Sequence, residues 1–163
     1  MSRATESAEV VVVGGGAVGA ATAFHLAELG ITDVVLVERE SLGAGSSGKS
    51  AGGFRLQFAD ELNLRIALRS VAELESFEDR FGVDIGLVQA GYLFLLDSLA
   101  DVEIFRAALG LQRSLGIPST ELTPAQAGEL LPQLALDGLL GATYCPRADA
   151  AAAYPWTTAS GAR

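Results

Sequence analysis

Several residue types that often carry chemistry are nearly absent from this chain of 163 residues. It has one cysteine, Cys145, and one histidine, His25. A single cysteine excludes a disulfide framework and a cluster of metal-bound thiolates. A single histidine excludes a histidine-rich metal site and a Ser-His triad built from this chain alone. We therefore expect Cys145 to be an ordinary buried thiol and His25 to serve packing or lie at the surface.

Long apolar runs and positive charge are also lacking. No run reaches the roughly 18 apolar residues that a membrane helix needs. The start, Met1–Glu9, is polar, and glycines interrupt the apolar run behind it, which does not fit a signal peptide. The 11 basic residues face 20 acidic ones, and a net charge of −9 argues against nucleic acid and anionic membranes as partners. These features predict a cytoplasmic location.

Glycine is abundant, and three of the 19 glycines form a motif. Four valines from Val10 onward lead into Gly14-x-Gly16-x-x-Gly19, behind which a helical pattern opens. In a dinucleotide-binding βαβ unit the first glycine permits a tight turn, the second lets the pyrophosphate approach, and the third lets the helix pack on the strand. The phosphates then bind N–H groups at the helix N-terminus, which includes Ala17 and Val18.

A second strand completes this pattern. The residues Ala17–Leu29 predict a helix that ends at Gly30, and Val34–Val37 form a short β-branched run typical of a buried parallel strand. We therefore predict an α/β fold whose first part is a Rossmann-like βαβ unit for FAD or NAD(P).

The end of the second strand carries an acidic residue, Glu38. A carboxylate at this place can accept hydrogen bonds from the adenosine ribose. Three roles stay open for the neighbouring Arg39: it could flank the adenine, bind a 2′-phosphate or pair with Glu40.

The segment Gly43–Ser50 also matches G-x-x-x-x-G-K-[ST], the phosphate loop of nucleoside triphosphatases. That loop needs a strand directly before it and a helix that opens at the Lys-Ser pair. Here the strand ends near Val37, and Gly52 and Gly53 are poor helix starters. The triphosphatase site therefore stands as a disfavoured alternative.

Five segments together resemble the FAD-dependent D-amino-acid oxidase and sarcosine oxidase superfamily, which includes glycine oxidases and dimethylglycine dehydrogenases. They are Val10–Gly19, Glu38-Arg39, Gly45–Arg55, Gly91–Leu96 and Tyr144–Pro146. The resemblance implies FAD as cofactor and oxidation of a C–N bond in an amino acid or N-methyl amino acid, by hydride transfer to the flavin. A nicotinamide-dependent dehydrogenase is disfavoured because the glycine/serine loop after Glu38 has no role there.

The resemblance also implies roles for residues of the loop after the second strand. It implies FAD contacts from Ser46, Ser47, Lys49, Ser50, Gly52 and Gly53. No histidine occurs in this loop, which excludes covalent attachment of the flavin through a histidine there. Arg55 lies where related enzymes carry an arginine that pairs with the substrate carboxylate, for which a planar fork of donors is suited. A surface arginine or an internal ion pair is the alternative.

The rest of the pattern predicts the beginning of a mixed-sheet substrate domain. We expect domain boundaries at 1–80, 81–149 and 150–163. The expected elements are a helix over Glu61–Phe81 capped by Asp60, strands over Val83–Val88 and Tyr92–Leu96 (the second one central), a helix over Leu99–Leu115, a short helix capped by Thr123, and a strand over Leu139–Tyr144.

The tail after Asp149 lacks the turn and helix that the resemblance leads us to expect, and members of the superfamily are far longer. The chain therefore resembles the N-terminal part of such an enzyme, and we expect no oxidase turnover from it in isolation. The expected partners are a small amine or amino-acid substrate and a second chain that completes the site. A non-catalytic nucleotide-binding fragment stays open as the alternative.

Overall fold

The computed structural model describes residues 7–147, 149 and 150. The chain forms two compact units, the first with the described residues 7–50 and the second with those from residue 51 onward. Because this division rests on compactness alone, the domain boundaries expected near residues 80 and 149 stay predictions. The expected irregular tail lies, apart from residue 150, outside the described residues.

The first unit is the predicted βαβ unit. Strand β1 (Val10–Val13) and strand β2 (Val34–Val37) pair in parallel, with helix α1 (Ala17–Glu28) between them in the chain. The helix begins after Gly16, and Gly30 follows it with a φ of +85°, a conformation that glycine adopts without a steric penalty. The α/β fold with a Rossmann-like entry is confirmed.

The second unit contains the other elements and its own core. Its elements are β3 (Gly53–Phe54), α2 (Glu61–Glu75), α3 (Phe77–Phe81), β4 (Tyr92–Leu96), α4 (Leu99–Ser114), β5 (Thr120–Leu122), α5 (Pro124–Leu130), β6 (Gly141–Cys145) and β7 (Asp149–Ala150). Strands β4, β6 and β5 form an antiparallel sheet in that order, and β3 pairs with β7. One cluster of buried side chains in this core consists of Leu56, Leu64, Val71, Ile117 and Cys145, so the prediction of a buried thiol is confirmed.

Among the described strands, the prediction that β4 is central is wrong, because β6 lies between β4 and β5. The continuous apolar sequence of β4 has a different reason. Helix α4 packs near this edge strand, and the rings of Phe94 in β4 and Phe105 in α4 lie 4.9 Å apart. The contact with α4 therefore explains the apolar residues on the Phe94 face of β4, whereas Leu95 on the opposite face is 45% exposed.

The helix expected over Glu61–Phe81 is divided at Ser76. This residue has φ −92° and ψ 3°, and its hydroxyl donates a hydrogen bond to the Glu73 carbonyl oxygen at 3.3 Å. A serine hydroxyl that bonds to a carbonyl oxygen of the preceding turn competes with the backbone hydrogen bonds of the helix, and α2 ends at Glu75. Helix α3 then continues to the left-handed Gly82.

The strand expected over Val83–Val88 does not form and leaves an isolated bridge at Leu87. The Gly86 N–H donates a hydrogen bond to Asp84 Oδ1 at 2.6 Å, and Gly86 has a φ of +63°. This local turn interrupts the extended run that the apolar residues suggested.

The predicted helix starts are confirmed by their caps. Asp60 Oδ1 accepts a hydrogen bond from the Asn63 N–H at 2.9 Å at the start of α2. Thr123 and Gln126 form a reciprocal capping box at the start of α5. Within the described part of the chain, no helix combines the length and the apolar character needed to cross a membrane.

Candidate cofactor and substrate sites

The glycines of the first unit occupy positions where larger residues would not fit. Gly14 has a φ of +104°, in the region that L-residues rarely adopt. A Cβ on Gly19 would lie 1.8 Å from the Gly14 carbonyl oxygen, and a Cβ on Gly16 would lie 3.1 Å from Ser47 Oγ. The turn therefore brings the backbone of the strand end, the helix start and the following loop together without intervening side chains.

The N-terminus of α1 offers several backbone donors. Its N-cap is Gly16, which has no side chain to cap the helix, and the Ala17 N–H donates to Ser47 Oγ at 2.9 Å. The N–H groups of Gly16, Val18 and Gly19 donate no hydrogen bond to any described residue. Unpaired N–H groups and the positive end of the helix dipole suit a phosphate group.

Glu38 is held beside this turn by the backbone. Its Oε2 accepts a hydrogen bond from the Gly15 N–H at 2.7 Å, and its Oε1 accepts one from the Glu40 N–H at 2.9 Å. The N–H groups of Glu40 and Gly15 hold the pKa of this carboxyl below its ordinary value. An ionised carboxylate has about four lone-pair sites, so acceptor capacity remains for two ribose hydroxyls.

Of the three roles that the sequence leaves open for Arg39, the structure shows the pairing with Glu40. Its guanidinium lies 3.4 Å from Glu40 Oε1, and its side chain is 90% exposed. The pairing with Glu40 is thus present, but an exposed ion pair of this kind is weak. The adenine and 2′-phosphate roles stay predictions.

The loop after β2 folds back onto the glycine turn. The Gly43 N–H donates to the Gly15 carbonyl oxygen at 2.9 Å, and the Gly48 N–H donates to the Gly43 carbonyl oxygen at 2.8 Å. Turns continue through Lys49, and no helix opens at Lys49 and Ser50. This geometry disfavours the triphosphatase loop, which requires a helix at that point.

Among the loop residues expected to contact FAD, Ser47 contacts the glycine turn, because its Oγ accepts the hydrogen bond from the Ala17 N–H. The backbone carbonyl oxygens of Ser46 and Ser47 accept hydrogen bonds from the N–H groups of Lys49 and Ser50, at 3.3 and 3.4 Å respectively. The FAD contacts of Ser46, Lys49 and Ser50 stay predictions. The Gly15 N–H, which donates to Glu38 Oε2, is a contact that motif reasoning missed, since the x positions of the motif carry no signal for a backbone donor.

The second unit contains the other predicted site residues. Gly52 has a φ of +70° and Gly53 lies in β3, where it pairs with Ala150. Both FAD contacts stay predictions. The Arg55 guanidinium carbon lies 5.0 Å from the centre of the Phe58 ring and 5.2 Å from that of the Phe94 ring. Within the described residues it makes no ion pair, so nothing there supports the alternative of an internal salt bridge.

The segment that carries Arg55 is anchored by groups that sequence reasoning missed. The Leu56 side chain is fully buried, and the buried Gln57 donates from Nε2 to Thr143 Oγ1 at 3.0 Å. Gln112 of α4 donates from its own Nε2 to the Phe58 carbonyl oxygen at 2.9 Å. Because burial and hydrogen bonds hold the three residues after Arg55 in place, the backbone that carries Arg55 has a fixed position within the second unit.

His25 lies on α1 with its Nδ1 2.7 Å from Glu28 Oε2, and its side chain is about half exposed. This position fits the predicted surface role.

Comparison with known proteins supplies the family. A family model described as FAD dependent oxidoreductase matches residues 9–161. The chain belongs to this family of FAD-dependent oxidoreductases. This confirms the resemblance drawn from the motifs, and it confirms FAD as the expected cofactor.

Individual relatives agree with this assignment. The chain is 35% identical over 142 residues to human mitochondrial sarcosine dehydrogenase, covering 86% of this chain and 15% of the relative. It is 34% identical to the glycine oxidase of Geobacillus kaustophilus, covering 87% of this chain and 39% of the relative. Among solved structures, L-proline dehydrogenase from P. horikoshii superposes with a TM-score of 0.82 at 34% identity, covering 91% of this chain and 39% of that one. The chain thus spans well under half the length of these relatives.

Proposed function

We propose that the first unit binds the adenosine diphosphate part of FAD. The observation that carries this proposal is the placement of three N–H groups at the α1 N-terminus beside the ionised Glu38. The pyrophosphate would lie on the N–H groups of Gly16, Val18 and Gly19, and the ribose hydroxyls would donate to Glu38. The close approach at Gly16 fits this group, because even one Cβ there would crowd Ser47.

We propose that the whole protein oxidises a C–N bond of an amino acid or N-methyl amino acid. FAD, when bound, would supply the acceptor for the hydride lost from the carbon next to the nitrogen. The role of this chain's own residues is to hold the substrate. Arg55 would bind the substrate carboxylate with two parallel hydrogen bonds, for which its lack of an ion-pair partner within the described residues leaves it available.

Anaerobic reduction of the whole FAD-loaded protein tests the reaction. Sarcosine, glycine, proline and D-alanine would be incubated with the protein without oxygen, and lactate would serve as a carboxylate that has no C–N bond. We expect loss of the flavin absorbance with at least one of the amines and none with lactate. Bleaching by lactate alone, or by none of the compounds after prolonged incubation, would contradict the proposed reaction.

We also propose that a second polypeptide segment covers the first unit in the active protein. Val13 of β1 and Val18 of α1 are each 83% exposed, and Leu29 is 78% exposed. Parallel strands are normally covered on both faces, so the exposure of Val13 in β1 favours a further protein surface as neighbour. The cytoplasmic location stays a prediction, since relatives include a mitochondrial enzyme.

A further inference from the structure

A groove in the second unit combines Arg55 with apolar walls. It is lined by β3, the segment after it, one face of α2 and the first residue of β4. Its apolar side chains belong to Phe54, Phe58, Ile66, Ala67 and Val71. A ligand in this groove would therefore contact Arg55 at one point and hydrocarbon over most of its remaining surface.

Hydrogen bonding within the groove leaves few polar groups for a ligand. The Asn63 side chain donates to Asp60 Oδ2 at 2.8 Å, and the Ser70 hydroxyl donates to the Ile66 carbonyl oxygen at 2.8 Å. The Arg55 guanidinium and the Tyr92 hydroxyl make no hydrogen bond to a described residue. Arg55 and Tyr92 thus each offer an uncommitted hydrogen-bond donor to a ligand in the groove.

These two donors share one aromatic neighbour. The Tyr92 ring lies 5.0 Å from the Phe94 ring, and the Arg55 guanidinium carbon lies 5.2 Å from the same ring. No acidic side chain occurs among the described residues that line the groove. Two donors without a competing carboxylate suit an anion, and they do not suit the ammonium group of a substrate.

We propose that Tyr92 is a second substrate-binding residue and that the groove selects an amino acid with a bulky apolar side chain. This inference rests on the proposed function, because it takes Arg55 as the carboxylate site. The Tyr92 hydroxyl donates a hydrogen bond to the same carboxylate, and the side chain of the substrate packs on the hydrocarbon beside Ile66. Glycine and sarcosine have no side chain to cover this surface, so they bind more weakly than branched, cyclic or aromatic amino acids.

The test uses two carboxylates that differ only in the apolar group. Acetate and 3-phenylpropanoate would be titrated into the full FAD-loaded chain, with the backbone amide signals of Phe54, Arg55 and Tyr92 followed by NMR, which detects weak binding. We expect 3-phenylpropanoate to bind at least about tenfold more tightly than acetate, from burial of the phenyl ring. The Tyr92→Phe variant should bind both acids several-fold more weakly and keep the preference between them.

A pair of exposed isoleucines supplies a matched control. Ile66 in the groove is 54% exposed, and Ile104 on α4, which is not part of the groove, is 57% exposed. Neither substitution by alanine removes a buried side chain, so both variants should fold. Ile66→Ala should reduce the preference for 3-phenylpropanoate and leave acetate binding unchanged, whereas Ile104→Ala should change neither.

The outcomes separate this inference from the proposed function. If both acids bind equally and Arg55→Gln removes both, the carboxylate site stands and the apolar pocket is wrong. If Arg55→Gln leaves binding unchanged, the proposed role of Arg55 itself is wrong. If Tyr92→Phe binds both acids like the unchanged protein, or if neither acid binds, the inference is overturned.

Discussion

The Gly19 α-carbon faces the Gly14 carbonyl oxygen so closely that a Cβ on Gly19 would lie 1.8 Å from that oxygen. A contact this short cannot be relieved by a side-chain rotation, because its partner is backbone. The glycine therefore sets the distance between the end of β1 and the first turn of α1. That turn provides the N–H groups proposed for the pyrophosphate.

We expect Gly19→Ala to weaken FAD binding at least about tenfold, because α1 must shift away from the strand to admit the methyl group. Equilibrium titration with FAD, followed by flavin fluorescence, measures this. The matched control is Gly110→Ala in the middle of α4, where a Cβ meets nothing within 4 Å. Alanine is the better helix former, so the control should keep its FAD affinity and gain up to about 1 kcal/mol in free energy of unfolding. Equal FAD binding by both variants would contradict the proposed geometry.

Ser47 caps α1 from outside the helix. Removing its hydroxyl leaves the Ala17 N–H without a partner within the described residues, and a lost cap of this type costs about 1 kcal/mol. We expect Ser47→Ala to lower the urea midpoint of the first unit and to reduce FAD affinity several-fold. Ser41→Ala, in the same loop but without a described side-chain hydrogen bond, is the control. If the Ser47→Ala variant were as stable as the Ser41→Ala variant, the proposed stabilisation of α1 by the Ser47 hydroxyl would be wrong.

The hydrogen bonds to the Glu38 carboxyl predict that the stability of the protein depends on pH. The Glu40 and Gly15 N–H groups lower its pKa in the folded state, so its contribution to stability is present above the ordinary glutamate pKa of about 4.3 and is lost as the pH falls through the folded value. The urea midpoints of the unchanged protein and of Glu38→Gln should therefore differ near pH 7 and converge as the pH falls through the lowered pKa of Glu38 in the folded protein. The control is Glu129→Gln, whose carboxylate accepts no described hydrogen bond. A difference that grows in acid would contradict the assignment.

An ion pair joins α2 to the end of β6. Arg147 donates from Nε and Nη2 to Glu75 Oε1 and Oε2 at 3.0 and 2.7 Å, and Arg147 holds the Glu75 pKa below its ordinary value. The two side chains are 36% and 31% exposed, so a double-mutant cycle with Glu75→Gln and Arg147→Met should give a coupling of about 1 kcal/mol at most. The more exposed pair of Glu61 and Arg65 should give about 0.3–0.5 kcal/mol. Equal coupling energies for both pairs would contradict the expectation that the two hydrogen bonds between Arg147 and Glu75 strengthen that ion pair.

The first unit could be predicted from the sequence almost residue by residue. Its signals are local: a valine run, glycines at fixed spacing, and an acidic residue at the next strand end. Each follows from a backbone requirement that only one or two residue types meet. The second unit was harder because its sheet depends on distant pairing. Nothing near Tyr92 in the sequence reveals that Gly141–Cys145 lies between β4 and β5.

The anchors of Arg55 show the same limit. Gln57 looks like an exposed polar residue in the sequence, and its burial makes sense only with Thr143, which lies 86 residues further on. The Tyr92 hydroxyl becomes a candidate ligand contact because the Asn63 amide and the Ser70 hydroxyl beside it donate to other residues of the protein. Motifs thus identify the glycine turn of the first unit, whereas the groove of the second unit depends on contacts between residues far apart in the sequence.

The central claim, that this chain holds FAD on the glycine turn, is tested most directly by titrating the purified protein with FAD and, separately, with NAD. We predict that FAD binds more tightly than NAD. We also predict that Gly16→Val abolishes FAD binding, because a side chain there blocks the pyrophosphate from the backbone N–H groups. Tighter binding of NAD than FAD, or full FAD affinity in Gly16→Val, would contradict it.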